Sequence, residues 1–573
     1  MKNILLTIVV FFLLNKTTSA QIPPLDWAQQ QGGTGNDAGH SIAVDASGNV
    51  YTTGHFSDTV DFDPSSGVYN LISLGQNDIF VQKQDKNGNL IWAKQIGGLT
   101  NDIGRSITLD MSGNVYVTGF FEDVVDFDPN TGIHNLTSLG QNDIFILKLD
   151  FNGNLIWVKQ MGGNGYGFAG DSGESILVDI SGSVYVTGYF EDTVDFDPGP
   201  STHTFISEGS TDVFIQKLDA NGNFVWAKQI GGANNEEPGT ISMDVDGNIY
   251  ITGYFPGNVD FDPGLGTYNL ASAGSADIFI EKLDNNGNFL WCKQMGGTGF
   301  DEGVSLTIDN NGNIYTSGYF KNTVDFDPGV GVYNLTASGL ADMFIQKLDK
   351  NGDFLWAKRM GGLGFNMAVS SATDADGNLY TTGFFQNTVD FNPGVGVYNL
   401  TSPAQNNIFI QKLDSVGNFV WAQQFGAGSN DNGSSIKIDT AGNIYTTGGF
   451  LGTVDFDPNS TVTNLTSNGN RDIFIQKLGK NIINTSVIDL VDDENDTFAI
   501  YPNPCNDYFT IQFSSVLTEG RISIVDIQGK LIYSSKHNNT NQITLDVIKL
   551  PGVYFVEFIS NKERTVKKLI KTY

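Results

Sequence analysis

Residues 106–160 decide the fold, and they contain Ser106-Ile-Thr-Leu-Asp110, Val115-Tyr-Val-Thr-Gly-Phe-Phe121, Val125-Asp-Phe-Asp-Pro129, Asp143-Ile-Phe-Ile-Leu-Lys-Leu-Asp150 and Leu155-Ile-Trp-Val-Lys-Gln160. Four of these pieces alternate β-branched or aromatic residues with polar ones, which predicts strands. The Asp-Phe-Asp-Pro piece predicts a loop. Asn-Gly dipeptides between the pieces are typical of hairpin turns. The unit is therefore a four-stranded antiparallel meander.

This unit recurs along most of the chain. The first copy begins at its fourth strand, Leu25–Gln30, and the last copy ends at its third, Asp472–Leu478. The N-terminal strand can therefore complete the last unit, which removes exposed sheet edges. We predict an all-β fold, a seven-bladed β-propeller closed by its N-terminal strand, with an open solenoid as the alternative. Seven tryptophans, 65 residues apart except for one interval of 69, mark the repeat: Trp27, Trp92, Trp157, Trp226, Trp291, Trp356 and Trp421.

The recurring tryptophan has two interpretations. It could stack on sugar rings, or it could pack between neighbouring blades. Its identical strand context in all copies favours packing.

Composition narrows the classes of partner. The chain carries 63 Asp and Glu against 31 Lys and Arg, a formal charge of −32. Phosphate-rich partners would be repelled, so we expect neither nucleic acid nor anionic lipid to bind. A cation or a neutral ligand such as a glycan suits this surface better. No segment after the N-terminus has a run of about 18 apolar residues, so we expect no transmembrane segment.

The two ends of the chain differ from the repeats. Lys2, the apolar run 4–14 and Thr18-Ser19-Ala20 predict a signal peptide over residues 1–20. Residues 21–480 form the predicted propeller and the acidic residues 481–497 a linker. Residues 498–573 alternate like strands and predict a small Ig-like β-sandwich.

The repeats resemble the bacterial β-propeller repeat family of secreted proteins, on the pattern Asp-x-x-Gly-Asn-x-Tyr-x-Thr-Gly at residues 45–54. The last 75 or so residues resemble the type A C-terminal sorting domain of the type IX secretion system. The residues that carry this second resemblance are Pro502, Asn503, Pro504, Gly552, Tyr554, Lys568 and Lys571.

The second resemblance implies export in two steps, as in Bacteroidetes. The type IX machinery would act through residues 498–573, and the protein would be released outside the cell or attached to the outer-membrane surface. The first resemblance implies a fold and almost nothing about activity, because propellers host many functions.

Paired aspartates in the Asp-Phe-Asp-Pro loops are the candidate metal ligands. Paired carboxylates and turn carbonyls suit Ca²⁺. The other interpretation is that each Asp caps a turn by accepting backbone N–H groups, and near-identity in every unit favours it. Gly-Gly-x-Gly-x-Asp loops, such as residues 32–37, are predicted on the same face, which would be strongly acidic. The paired residues are Asp61 and Asp63, Asp126 and Asp128, Asp195 and Asp197, Asp260 and Asp262, Asp325 and Asp327, and Asp455 and Asp457; the sixth unit has Asp390 with Asn392.

Tyr166 and Phe168 lie in an insertion of the third unit and are the candidate ligand contacts. No catalytic motif is present in the sequence, so we predict a non-enzymatic binding or scaffold protein with a glycan or protein ligand. An extracellular glycan-active enzyme and a structural surface-coat component are the alternatives. No cofactor is predicted beyond the Ca²⁺ hypothesis.

Overall fold

A computed structural model describes residues 22–165, 170–403, 405–426, 429–459, 461–479, 498–505, 508–517, 519–526, 530–548, 550–559 and 564–571. Every regular element within these ranges is a strand. The chain divides into two compact units between Asn481 and Ile482. The predicted signal peptide and linker, and the candidate contacts Tyr166 and Phe168, lie outside the described residues.

Among the described residues, the first unit has seven antiparallel sheets of four or six strands, which follow the predicted strand order, and two two-stranded hairpins outside these sheets. Gly in the first turn of each repeat has a positive φ, as at Gly113 with +81°. This conformation suits glycine because it has no Cβ. The first strands are Ala38–Val44, Ile103–Leu109, Ser172–Val178, Glu237–Met243, Glu302–Ile308, Met367–Thr373 and Asn432–Ile438. The second strands are Val50–Phe56, Val115–Asp126, Val184–Phe190, Ile249–Phe255, Ile314–Phe320, Leu379–Phe385 and Ile444–Phe450.

The third and fourth strands complete each sheet. The third strands are Asp78–Gln84, Asn135–Leu149, Asp212–Leu218, Asp277–Leu283, Asp342–Leu348, Asn407–Leu413 and Asp472–Leu478. The fourth strands are Leu90–Ile96, Leu155–Gly163, Phe224–Gly232, Phe289–Gly297, Phe354–Gly362 and Phe419–Phe425. In the last repeat the N-terminal strand Leu25–Gln31 takes the fourth place, because it pairs antiparallel with Asp472–Leu478.

The Asp-Phe-Asp-Pro segment, predicted as a plain loop, contains a short hairpin. In the second repeat the hairpin continues the long second and third strands. In several repeats its first strand pairs with the end of the preceding fourth strand, as Gly231 does with Asp260, so the hairpin ties two sheets together. The separate hairpins are Thr59–Asp61 with Asn70–Ile72, Thr193–Asp195 with Thr204–Ile206, Asn258–Asp260 with Asn269–Ala271, Thr323–Asp325 with Asn334–Thr336, Thr388–Asp390 with Asn399–Thr401 and Thr453–Asp455 with Asn464–Thr466.

A run of hydrogen bonds joins the first strands of successive repeats. Each first strand contacts the first strands of its two neighbours, and the first repeat contacts the seventh. A hydroxyl at one repeated position links each repeat to the next. Backbone N–H groups donate to this hydroxyl from Ile107 to Ser41, Ile176 to Ser106, Ile241 to Ser175, Ser371 to Ser305, Ile436 to Ser370 and Ile42 to Ser435, while Thr240 donates to the carbonyl of Val304.

The apolar core lies between sheets rather than within one. One cluster joins Ile42 and Val50 of the first repeat to Tyr445 and Ile473 of the seventh. Each of the other clusters of this unit likewise draws on two successive repeats. Burial of apolar surface therefore holds each sheet to its neighbours.

The tryptophans pack between repeats, as predicted. The Nε1 group of Trp92 donates to the carbonyl of Phe151 in the next repeat at 3.2 Å. A Cβ added at Gly153, whose φ is +79°, would lie 3.3 Å from the Trp92 ring. The Asn-Gly turn thus needs glycine both for its backbone conformation and to make room for the ring.

The second unit has two sheets around one apolar core. A three-stranded sheet contains Phe498–Tyr501, Phe509–Leu517 and Thr540–Leu545. A four-stranded sheet contains Leu531–His537, Gly520–Asp526, Gly552–Ile559 and Arg564–Lys571.

Candidate functional site

Residues of all seven first strands line one cavity of about 920 Å³. Its wall contains residues from all of these strands, among them Arg105, Glu174, Glu237, Glu302 and Lys437. The repeated serines and Thr240 also line it, so the cavity is polar where the repeats are alike. Ligands commonly bind in such concave places, where a few polar groups can converge on one molecule.

At one end of the cavity, where Tyr189, Glu237, Glu302 and Asn432 line it, the residues differ between repeats. At this end, which we call the rim, each first strand begins beside the end of its second strand. The cross-strand pairs there are Ala38 with His55, Ile103 with Phe120, Ser172 with Tyr189, Glu237 with Tyr254, Glu302 with Tyr319, Met367 with Phe384, and Asn432 with Gly449. The rim is therefore chemically asymmetric, although the surrounding framework is repetitive.

An arc of aromatic rings follows the rim through the fourth, fifth and sixth repeats. Phe300 lies 4.8 Å from Tyr254 between ring centroids and stacks with Tyr319 at 6.2 Å. Phe365 then contacts Tyr319 at 5.0 Å and stacks with Phe384 at 5.9 Å. Tyr319 is buried and the other four rings are partly exposed, so the arc offers a face to a ligand.

Two carboxylates accompany this arc. Burial raises the pKa of Glu302 to about 7, against the effect of a hydrogen bond from Tyr319, and the charge of Glu237 raises it further. Burial also raises the pKa of Glu237, which accepts a hydrogen bond from Tyr254. Each tyrosine is the cross-strand neighbour of one carboxylate and lowers its pKa, against the larger effect of burial.

The other side of the rim carries cations and histidines. The Arg105 guanidinium lies 3.6 Å from the Glu174 carboxylate. Nε2 of His40 lies 2.8 Å from Nδ1 of His55. Burial lowers the pKa of His55 to about 4, and the charges of Arg105 and Arg471 lower it further. The same causes, together with the neighbouring His55, lower the pKa of His40, so both imidazoles are neutral at pH 7.

The predicted Asp-Phe-Asp-Pro aspartates bind backbone groups of their own hairpins. Asp61 Oδ1 accepts the N–H groups of Asp63 and Tyr69 at 3.0 and 2.8 Å. Equivalent bonds recur at the first aspartate of each pair: Asp126, Asp195, Asp260, Asp325, Asp390 and Asp455.

The second aspartate of each pair also caps a turn. Asp63 Oδ1 accepts the N–H of Ser65 at 2.9 Å, and Asn392 Oδ1 accepts that of Gly394 at 2.9 Å in the sixth repeat. A neutral amide oxygen thus accepts the same turn hydrogen bond as the carboxylates do in the other repeats. Equivalent bonds are made by Asp128, Asp197, Asp262, Asp327 and Asp457. Within the part of the chain that the structure describes, no three His, Cys, Asp or Glu side chains are grouped to hold a metal ion.

A second set of acids lies buried under the Gly-Gly loops. Asp102 accepts the N–H groups of Gly98 and Glu122 at 2.7 and 3.0 Å, and so fastens this loop to the end of the second strand. Burial raises the pKa of Asp102 to about 7 and that of Asp171 to about 8. Asn366 takes this place in the sixth repeat and accepts the N–H of Gln386. These acids are part of the framework.

The sequence analysis missed the rim. The aspartate pairs stood out because they repeat, whereas a site for one ligand is expected where repeats differ. The differing positions could be found by aligning the repeats on their tryptophans: His40, Arg105, Glu174, Gly239, Val304, Val369 and Ser434 share one position of the first strand.

In the second unit, the predicted sorting residues meet at the last strand. Asn503 Nδ2 donates to the carbonyl of Lys568 at 2.7 Å, and its Oδ1 accepts the N–H of Ile570 at 2.9 Å. The hydroxyl of Tyr554 donates to the carbonyl of Leu550 at 2.8 Å. The Pro-Asn-Pro segment, which includes Pro502 and Pro504, is thus bound beside the strand that contains Lys571, and Gly552 begins the neighbouring strand.

Two family models match these regions. A β-propeller repeat model matches residues 26–55, 91–119, 225–254 and 420–448. A secretion system C-terminal sorting domain model matches residues 499–572. The chain joins β-propeller repeats to a secretion-system sorting domain. Because of this sorting domain, the protein is secreted by the type IX system and reaches the extracellular space or the cell surface. The described residues include no helix long and apolar enough to span a membrane.

Two curated proteins are similar to part of this chain. A WD repeat-containing protein of Acanthamoeba polyphaga mimivirus is 27% identical, over 63% of this chain and 31% of its own length. The regulatory protein FlaEY of Caulobacter vibrioides is 26% identical, over 45% of this chain and 27% of its own length. The chain thus spans about a third or less of each. A fungal AA5-family alcohol oxidase in complex with copper aligns over 82% of this chain and 96% of its own, with 11% identity and a TM-score of 0.28.

Proposed function

We propose that this secreted chain is a non-enzymatic binding or scaffold protein built on a seven-bladed propeller that its N-terminal strand closes. Three features join the first repeat to the last and support closure. Leu25–Gln31 pairs with the last third strand. The N–H of Ile42 donates to Ser435, and an apolar cluster spans both repeats. Two sheets around one core support an Ig-like sandwich for the sorting domain.

The ligand binds at the rim, and one observation carries this proposal. Buried positions repeat almost unchanged, whereas the cross-strand pairs at the rim differ, and four of their members line one cavity: Tyr189, Glu237, Glu302 and Asn432. A framework that only spaced other domains would gain nothing from this asymmetry. Partly exposed aromatic rings suit either a sugar ring or a protein side chain, so a glycan or a protein is the ligand.

A binding comparison tests the site. The chain from Gln21 onward is screened against neutral oligosaccharides and short peptides by calorimetry, together with two variants from the sixth repeat. Phe365→Ala removes a ring of the arc and should abolish binding of any hit. Tyr398→Ala removes a partly buried hairpin ring that packs on Phe419 and not on the rings of the arc, and it should leave binding unchanged. Equal binding by both variants would refute the rim as the site.

A glycan-active enzyme is the second candidate, favoured by Glu237 and Glu302. Adjacent carboxylates whose pKa values are raised to different degrees can divide acid and base roles. Turnover of a polysaccharide that Glu302→Gln abolishes would replace the binding proposal with this one.

Export can be tested separately from binding. Deletion of residues 498–573 should leave the repeat unit folded but trapped in the periplasm, because the sorting domain is absent. Fractionation of cells that express the full chain and the truncated chain, with antibody labelling of intact cells, measures this. Normal surface labelling of the truncated chain would contradict export through the sorting domain.

A further inference from the structure

We infer that the part of the rim formed by Glu237, Glu302 and the aromatic rings beside them binds an organic cation, an alkylammonium or guanidinium group. The group would come from a basic side chain of a protein partner or from a polyamine. This inference rests on the proposed function, since it names the ligand chemistry of the same rim.

The first argument is that Glu237 and Glu302 carry carboxyls whose ionised forms are poorly stabilised. Consecutive repeats place Glu174, Glu237 and Glu302 at the rim. Arg105 lies 3.6 Å from Glu174, and its charge also lowers the pKa of Glu237, though by less than burial raises it. No ion pair involving Glu237 or Glu302 occurs among the described residues. Burial raises the pKa of both carboxyls, the charge of Glu237 raises that of Glu302 further, and the charge of Glu174 raises that of Glu237, so ionisation of either carboxyl is costly. A bound cation would supply the missing partner.

The second argument is the aromatic lining. Tyr254, Phe300 and Tyr319 contact one another beside the two carboxylates. Aromatic faces carry partial negative charge and attract ammonium and guanidinium groups. The chain already makes this contact once here, since the Lys321 ammonium lies 5.9 Å from the Phe300 centroid. Carboxylates and ring faces together select a cation over a neutral sugar, which would leave the charges uncompensated.

The third argument is the opposite side of the rim. Arg105 and Arg471 repel a cation, and His40 and His55 are neutral. A cationic guest is therefore confined to the half that holds Glu237 and Glu302. The formal charge of −32 on the whole chain adds long-range attraction for cations.

The experiment measures binding of charged and neutral probes by calorimetry at moderate salt. The probes are spermidine, a tri-lysine peptide, a tri-alanine peptide and a neutral oligosaccharide. The chain from Gln21 onward is compared with Glu302→Gln, Glu237→Gln and Tyr254→Leu. The matched control is Glu208→Gln, which removes one exposed carboxylate of the third repeat that does not line the cavity.

We expect spermidine or tri-lysine to bind and tri-alanine not to bind. Each of the two rim glutamine variants should weaken binding about tenfold or more, as loss of one partner in a desolvated charge pair does. Tyr254→Leu should weaken it about threefold to tenfold through loss of the ring face. Glu208→Gln should change affinity less than about twofold because it acts only through screened charge. A preference for spermidine assigns a polyamine source, and a preference for tri-lysine assigns a protein source.

Two results would overturn the inference. Equal weakening by Glu208→Gln and Glu302→Gln would show nonspecific attraction to an acidic protein. Binding of the neutral oligosaccharide alone, weakened by Tyr254→Leu, would leave the rim as a binding site but with a different ligand. If no probe binds and Phe365→Ala alters no interaction in the wider screen, the proposed function fails as well.

Discussion

The buried framework and the rim obey opposite rules, although both are built from the same repeat. In the framework, Trp, the turn Gly and the hairpin Asp recur because each satisfies a fixed packing or hydrogen-bonding need. At the rim, the pair Glu302 and Tyr319 in one repeat is matched by Asn432 and Gly449 in another. Position in the repeat therefore separates residues that hold the fold from residues that are free to serve a ligand.

One buried framework residue is an exception to this rule. Glu281 is fully buried, and neither of its carboxylate oxygens has a hydrogen-bond partner among the described residues. Gln216 and Gln346 at the same position donate to the carbonyls of Phe196 and Phe326. Five other repeats have Gln at this position and the second has Leu147, so the acid makes the fourth repeat the weak point of the framework.

Loss of an inter-repeat tryptophan should have the largest effect. Trp92→Ala removes a buried ring that contacts Gly153, Tyr51 and the carbonyl of Phe151. We expect the free energy of unfolding to fall by about 3–5 kcal/mol, the usual cost of a large aromatic cavity. Urea denaturation followed by fluorescence and circular dichroism measures it.

The rim supplies the control for that substitution. Phe365→Ala removes a ring of the arc that is partly exposed, so less apolar surface is lost and the destabilisation should be clearly smaller. If both substitutions cost the same free energy, the distinction between framework and rim would not hold.

Replacement of Glu281 should have an intermediate effect, and it should be stabilising. Glu281→Gln restores the amide that donates to a hairpin carbonyl in other repeats and removes a buried acid. We expect a gain of about 1–3 kcal/mol at pH 8, because an unsatisfied buried polar group is corrected. The gain is measured from the urea midpoints of the two proteins, provided that their unfolding free energies depend on urea concentration with the same slope.

The raised pKa of Glu281 determines how the stability gain from Glu281→Gln changes with pH. Burial raises the pKa of Glu281 well above the unfolded value of about 4.3. Between those two values the folded chain holds a proton that the unfolded chain has lost, so stability is full below about pH 4.3 and falls as the pH rises toward the folded pKa. The gain from Glu281→Gln should therefore be larger at pH 8 than at pH 5.

The fifth repeat offers the reverse substitution. Gln346→Glu places an acid at the equivalent buried position and should destabilise the chain more at pH 8 than at pH 5. A gain for Glu281→Gln that does not depend on pH, with no loss for Gln346→Glu, would mean that the buried acid is compensated.

Much of the framework could be predicted from sequence because its signals are local and recur. Strand alternation, Asn-Gly turns and the Trp interval each reflect one repeated environment, and the strands formed where these signals placed them. The hairpin in the Asp-Phe-Asp-Pro segment was missed because its strands have three residues, as in Thr59–Asp61. Their pairing depends on the end of the preceding sheet, which no local pattern encodes.

The rim could not be predicted in the same way. Tyr254, Phe300 and Phe365 are far apart in sequence, and only the arrangement of neighbouring sheets brings their rings together. The aspartate pairs were chosen as candidate ligands because they repeat, and Tyr166 and Phe168 because they lie in an insertion. The side chains that converge on the cavity stand out only when repeats are compared position by position.

Calcium should have the smallest effect, and its test probes the framework at the aspartate pairs. The same oxygen of Asp61 accepts two backbone N–H groups, and Asn392 replaces an aspartate without loss of the turn bond. We therefore expect the same melting temperature in Ca²⁺ and in EDTA for the chain from Gln21 onward, measured by calorimetry.

A ligand that binds only the folded state must raise the melting temperature. An upward shift with Ca²⁺, absent with Mg²⁺ and reduced by Asp126→Asn, would make these pairs metal ligands. The division would then fail at the hairpins, since a repeated position would serve a ligand as well as the fold.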